Sequence, residues 1–96
     1  MPFISRNPYT EELIREFPSH DRDSIEARLA TARLAFLRWR ETTFAERARA
    51  LRTVAETLRD ELDDYARLIT QEMGKPIKQA RAEIEKCARG LEYFAE

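Results

Sequence analysis

Cys87 is the only cysteine in this 96-residue sequence and its one strong intrinsic nucleophile. A catalytic thiolate needs a neighbouring base or a positive field to lower its pKa. The single histidine, His20, lies far upstream, and no second imidazole exists to serve as that base. Cys87 also falls on the predicted inner seam of a helix, where a small thiol reads as a packing residue. His20 precedes a helix start and reads as a capping or solvent-facing residue. One cysteine and one histidine at this separation match no metal-site spacing, and a lone cysteine permits no internal disulfide. A chain without structural disulfides fits a reducing, cytoplasmic setting.

The acids give no better catalyst. Asp60, Glu61, Asp63 and Asp64 cluster, but a general acid–base pair needs environments that push its two pKa values apart. Clusters of this kind read as the wet face of a helix. Gly74-Lys75 carries a fragment of a phosphate loop, yet such loops need several glycines and the chain has two. Trp39 and the other aromatics stand at helical spacing and read as core. No catalytic, cofactor-binding or metal-ligating residue is expected here.

The elements that position these side chains are legible from spacing. Residues 1–20 hold three of the four prolines, and Phe3–Ser5 and Leu13–Phe17 suggest two short strands. Asn7-Pro8 between them favours a turn, so residues 1–20 are predicted to form a β-hairpin that must lie on something to persist. Helix 1 should begin at Asp21, whose carboxylate can cap it. Its apolar positions Ile25, Leu29, Ala32, Phe36 and Trp39 recur in steps of four and three, hence on one face. Leu34 and Leu37 fall off that stripe and widen the apolar arc.

Thr43-Phe44-Ala45-Glu46 reads as a capping box opening helix 2. The segment that follows has no Pro or Gly until Gly74, which predicts one long helix, kinked near Asp63 and closed by Gly74. Pro76 fits the first position of helix 3, with Ile77, Ala80, Ile84, Cys87, Leu91 and Phe94 as its seam. The expected fold class is mainly α: an N-terminal β-hairpin followed by three amphipathic helices in an antiparallel arrangement. The last residues, Gly90 to Glu96, run through an apolar periodic segment with no stop signal, as a cut chain would.

Composition narrows the partners. Charged residues make up 36%, but 17 Lys and Arg against 18 Asp and Glu leave a net charge of −1. Fourteen of the basic residues are Arg, interleaved with acids throughout. A nucleic-acid binder normally carries a positive excess, so none is expected. No apolar run suits a signal peptide or a membrane span. A chain this short makes at most one domain, or part of one.

The order of motifs adds a resemblance. Asn7-Pro8-Tyr9-Thr10, Ala35-Phe36-Leu37-Arg38-Trp39, Ala45-Glu46-Arg47-Ala48 and Glu72-Met73-Gly74-Lys75-Pro76 resemble, in sequence and spacing, the N-terminal region of the aldehyde dehydrogenase superfamily. Glu-Met-Gly-Lys-Pro with Ala80-Arg81-Ala82-Glu83-Ile84, and Phe36-Leu37-Arg38-Trp39-Arg40-Glu41-Thr42, look like its succinate-semialdehyde dehydrogenase branch. The resemblance implies an NAD- or NADP-dependent oxidation of an aldehyde to a carboxylic acid. It also implies that the nucleophilic cysteine, the water-activating glutamate and the dinucleotide-binding segment come after Glu96. Cys87, Glu72 and Glu83 do not match those groups.

Residues 21–96 would then be the incomplete helical part of the α/β cofactor-binding domain, inactive alone. Their partner would be the remainder of that fold, and exposed apolar faces would permit self-association; a non-enzymatic helical interaction module is the alternative. Helix 3 lies near the substrate entrance in the family, which makes Gly90 a candidate for the edge of that channel. In the family's hairpin a glycine stands where this chain has Glu11, so an unchanged turn strains Glu11 by ~1 kcal/mol or more.

Overall fold

The computed structural model describes residues 1–96. Strands β1 (Phe3–Arg6) and β2 (Leu13–Phe17) precede helices α1 (Arg22–Trp39), α2 (Phe44–Asp60), α3 (Leu62–Met73) and α4 (Ile77–Ala95). No helix is long and apolar enough to cross a membrane.

The hairpin is antiparallel, with Phe3 opposite Phe17 and Ser5 opposite Arg15, and its register shifts between Ser5 and Arg6. Asn7 shapes the turn: its Oδ1 accepts from the amides of Tyr9 (2.9 Å) and Thr10 (3.1 Å). Glu11 closes the turn at φ 65°, the left-handed conformation that costs a side-chain-bearing residue strain. The support the hairpin requires comes from α3. Ser5 Oγ donates to Glu72 Oε1 at 2.8 Å, and a methyl group added at Gly74 would touch Pro8 Cγ at 3.4 Å.

The expected helix boundaries hold where capping chemistry sets them. The Asp21 carboxylate accepts from the Ser24 amide at 2.8 Å. Thr43 and Glu46 form the reciprocal box at the start of α2, and Gly74 closes α3 at φ 72°. Pro76 lies one position earlier than expected. It is the N-cap of α4, and its carbonyl accepts from the Ala80 amide at 2.9 Å.

The single long helix divides in two at Glu61 (φ −108°, ψ 23°), making four helices rather than three. No Pro or Gly causes the break. Four acids in five residues repel one another at helical spacing, and Asp is among the weaker helix formers. Breaking there moves Asp63 and Asp64 into the first turn of α3, where free amides favour negative charge.

Packing departs further from a simple antiparallel bundle. Helix α4 packs against both α2 and α3, while α1 has no substantial contact with any other element. The core consists of Ala55, Ala66, Ala80, Ile84, Ala88 and Ala95, and no large side chain is fully buried. The molecule measures 47 × 38 × 15 Å, so its short dimension is little more than one helix diameter. Apolar side chains that a second layer would cover stand open, among them Leu29, Phe36, Trp39, Phe44 and Phe94.

Candidate functional site

Helix α4 carries most of the polar interactions that join distant parts of the chain. From α2, Arg59 Nε donates to Glu85 Oε1 at 3.0 Å and its Nη2 to Glu92 Oε2 at 2.9 Å, while Nη1 reaches Glu92 Oε1. Arg52 Nη2 donates to the Ala95 carbonyl at 3.2 Å. At the other end, Lys75 pairs with Glu83, and Arg81 Nε donates to Asp63 Oδ1 at 2.8 Å. The hydrogen bonds from Arg59 hold the Glu92 carboxyl below its usual range. In return, the bonds to Glu92 and then Glu85 raise the guanidinium. Sequence alone gives no signal for this clamp, because the paired residues meet only once α2 and α4 are docked.

On its outer side α4 lines an open cleft of about 690 Å³ with Lys75, Gln79, Ala82, Glu83, Lys86 and Cys87. Cys87 is exposed, contrary to the inner-seam expectation. The buried seam runs Ala80, Ile84, Ala88, Ala95, one residue and thus about 100° of helix rotation away from Cys87. Phe94, also assigned to the seam, is 78% exposed. Gly90 is half-buried, and a Cβ built there meets nothing within 4 Å, so no backbone approaches it within this chain.

The remaining candidates lie apart. His20 Nδ1 is 3.2 Å from Ser24 Oγ at the start of α1. In the acidic cluster, Asp63 is paired with Arg81, and the Glu61 carboxylate accepts from the Tyr65 hydroxyl at 2.5 Å, which raises the phenol's pKa. No three His, Cys, Asp or Glu side chains converge as a metal site. Nor do the glycines build a dinucleotide cradle: Gly74 closes the C-terminus of α3 and Gly90 lies inside α4. A phosphate cradle needs glycine-borne amides before a helix N-terminus, so the residues present do not fit the cofactor.

What the surface does offer is apolar. Trp39, Phe44, Ala48, Leu51, Phe94 and Ala95 line a groove of about 430 Å³ where the end of α1, the start of α2 and the end of α4 meet. The Arg47 guanidinium lies 4.8 Å from the Phe44 ring centre at its rim. Such a groove can take an aliphatic or aromatic group; its only charged lining residues are Arg47 and Glu96, and it holds no thiol, hydroxyl or imidazole that could act as a nucleophile.

Comparison with known proteins agrees with the motif order. Residues 2–96 match the model of the aldehyde dehydrogenase family. The chain is 41% identical over 96 residues to succinate-semialdehyde dehydrogenase (NADP+) 1 of Mycobacterium tuberculosis H37Rv, covering all of this chain and 21% of that one. It is 44% identical over 93 residues to succinate semialdehyde dehydrogenase Sad of Escherichia coli K12, covering 97% of this chain and 20% of Sad. Among solved structures, succinic semialdehyde dehydrogenase from Streptococcus pyogenes in complex with NADP+ superposes with a TM-score of 0.89 at 32% identity, over 97% of this chain and 21% of that one. An E. coli NADP-dependent enzyme gives 0.90 at 34% identity, over 99% and 20%. The chain spans about a fifth of the length of the relatives it matches.

Proposed function

The chain belongs to the aldehyde dehydrogenase family, and we propose that it is the N-terminal scaffold of a succinate-semialdehyde dehydrogenase-like enzyme, inactive by itself. In this reading residues 1–20 form the hairpin and residues 21–96 the incomplete helical part of the cofactor-binding domain. The oxidation of aldehyde to acid with NAD or NADP belongs to the whole enzyme, which we place in the cytoplasm. The observation that carries the proposal is the 15 Å slab, with six buried residues and no fully buried large side chain. A layer this thin finds its core only against another layer. The match to about a fifth of each relative supports reading that layer as the remainder of the same fold.

Within the assembled enzyme the outer face of α4 borders the substrate entrance, and Gly90 forms part of its edge. The vacant space above Gly90 supports this placement, since a side chain there would project into whatever passes.

A graft tests the proposal. Replacing the matching fifth of E. coli Sad with this chain should retain NAD(P)-linked oxidation of succinate semialdehyde, while the isolated chain shows none. Turnover by the isolated chain, or a graft that folds but does not bind cofactor, would overturn the reading. In the active graft, Gly90→Leu is expected to raise KM with little change in kcat. An unchanged KM would remove Gly90 from the channel edge.

A further inference from the structure

The charges of α4 are unevenly paired. All three of its carboxylates are engaged: Glu83 by Lys75, and Glu85 and Glu92 by Arg59. Arg81 is paired with Asp63. The helix's other three cations, Lys78, Lys86 and Arg89, form no ion pair within the chain. This helix therefore carries an unbalanced positive charge, although the whole chain is close to neutral at −1.

Of those three cations, only Lys86 lines the outer cleft, beside Lys75 and Glu83. The Lys75–Glu83 pair cancels, so Lys86 gives the cleft its net positive charge. Ala82, Lys86 and Gly90 follow at steps of four and share one face of the helix. The open space above Gly90 thus lies one turn past Lys86, about 6 Å along the axis. A cation beside an unfilled space can meet an anion that enters it. Lys78 is eight residues earlier, about 12 Å along the helix, and farther than the ~8 Å over which salt screens exposed charges.

We infer that Lys86 reads the charge of the substrate: it favours aldehydes that carry a carboxylate remote from the reacting carbonyl over neutral aldehydes of the same length. The inference rests on the proposed placement of the outer face of α4 at the substrate entrance. A lysine ammonium is a point charge on a flexible stem and attracts a carboxylate without a fixed geometry. Its effect falls on capture of the anion and not on the chemical step, so KM carries it and kcat does not.

The active graft into E. coli Sad provides the test. Lys86→Gln is expected to raise KM for succinate semialdehyde roughly threefold at low salt, the size of an exposed ion pair, with kcat unchanged. Lys86→Arg should restore the native value, and added salt should shrink the difference between native and Lys86→Gln grafts. The kcat/KM for butanal, a four-carbon aldehyde without the carboxylate, should not move. Lys78→Gln removes the same charge outside the cleft and should leave both substrates unaffected. A graft that folds but does not bind cofactor overturns the scaffold reading. The inference alone is overturned by an active graft in which Lys86→Gln leaves KM for succinate semialdehyde unchanged, shifts both aldehydes alike, or is matched by Lys78→Gln.

Discussion

Glu11 is the one non-glycine residue of the molecule at positive φ. Its φ of 65° is a conformation that glycine enters without penalty. The turn retains its shape because Asn7 secures it from both sides: the Glu11 amide donates to the Asn7 carbonyl at 2.8 Å, and the Asn7 amide to the Glu12 carbonyl at 2.9 Å. Glu11→Gly should therefore stabilise the hairpin by about 1 kcal/mol. Amide exchange at Asn7 and Glu11 should slow roughly fivefold; faster exchange would show that the turn is held by the Glu11 side chain. Features of this kind were readable in advance because a cap or a turn involves only a few consecutive residues. Asp21, Thr43, Glu46 and Gly74 occupy the roles their types suggest. Cys87 does not: one residue of phase along α4 separates the buried seam from the open cleft, and the partner helices set that phase.

At the scale of elements, periodicity gave the helices but not their divisions or their neighbours. The acid cluster reads in sequence as a solvated face. In the structure it also ends one helix and starts the next, a role visible only when repulsion along a continuous helix is weighed against the first turn of a new one. The α2–α4 clamp is equally hidden, and it has a pH signature. Bonds from Arg59 depress the Glu92 carboxyl, so its folded pKa lies below the unfolded value. The clamp's contribution is then fully present above the unfolded value, about 4.3 for glutamate, and is lost as pH falls through the depressed folded pKa. Arg59→Ala should speed amide exchange in the second half of α4 several-fold at neutral pH, and the difference from the native chain should shrink on acidification. A difference that persists in acid would mean that Arg59 acts through packing of its aliphatic stem rather than through the Glu92 carboxylate.

For the whole molecule, stability is limited by shape. A compact chain of 96 residues has a radius of gyration of about 12.5 Å, whereas this one has 17.3 Å. The excess comes from a flat body and from α1, which has no buried residue. Hydrophobic stabilisation scales with the apolar area removed from water, and here the buried residues are only five alanines and Ile84. The isolated chain should accordingly unfold in urea over a broad range, with a slope under ~1 kcal/mol/M, the lower end for small domains. It should also bind a dye that reports exposed apolar surface. Grafted into a full-length relative, the same residues meet a second layer, and both the broad transition and the dye signal should disappear. A steep, cooperative transition in the isolated chain would show that one layer of helices on an alanine seam suffices. The scaffold reading would then lose its physical basis, whatever the family resemblance says.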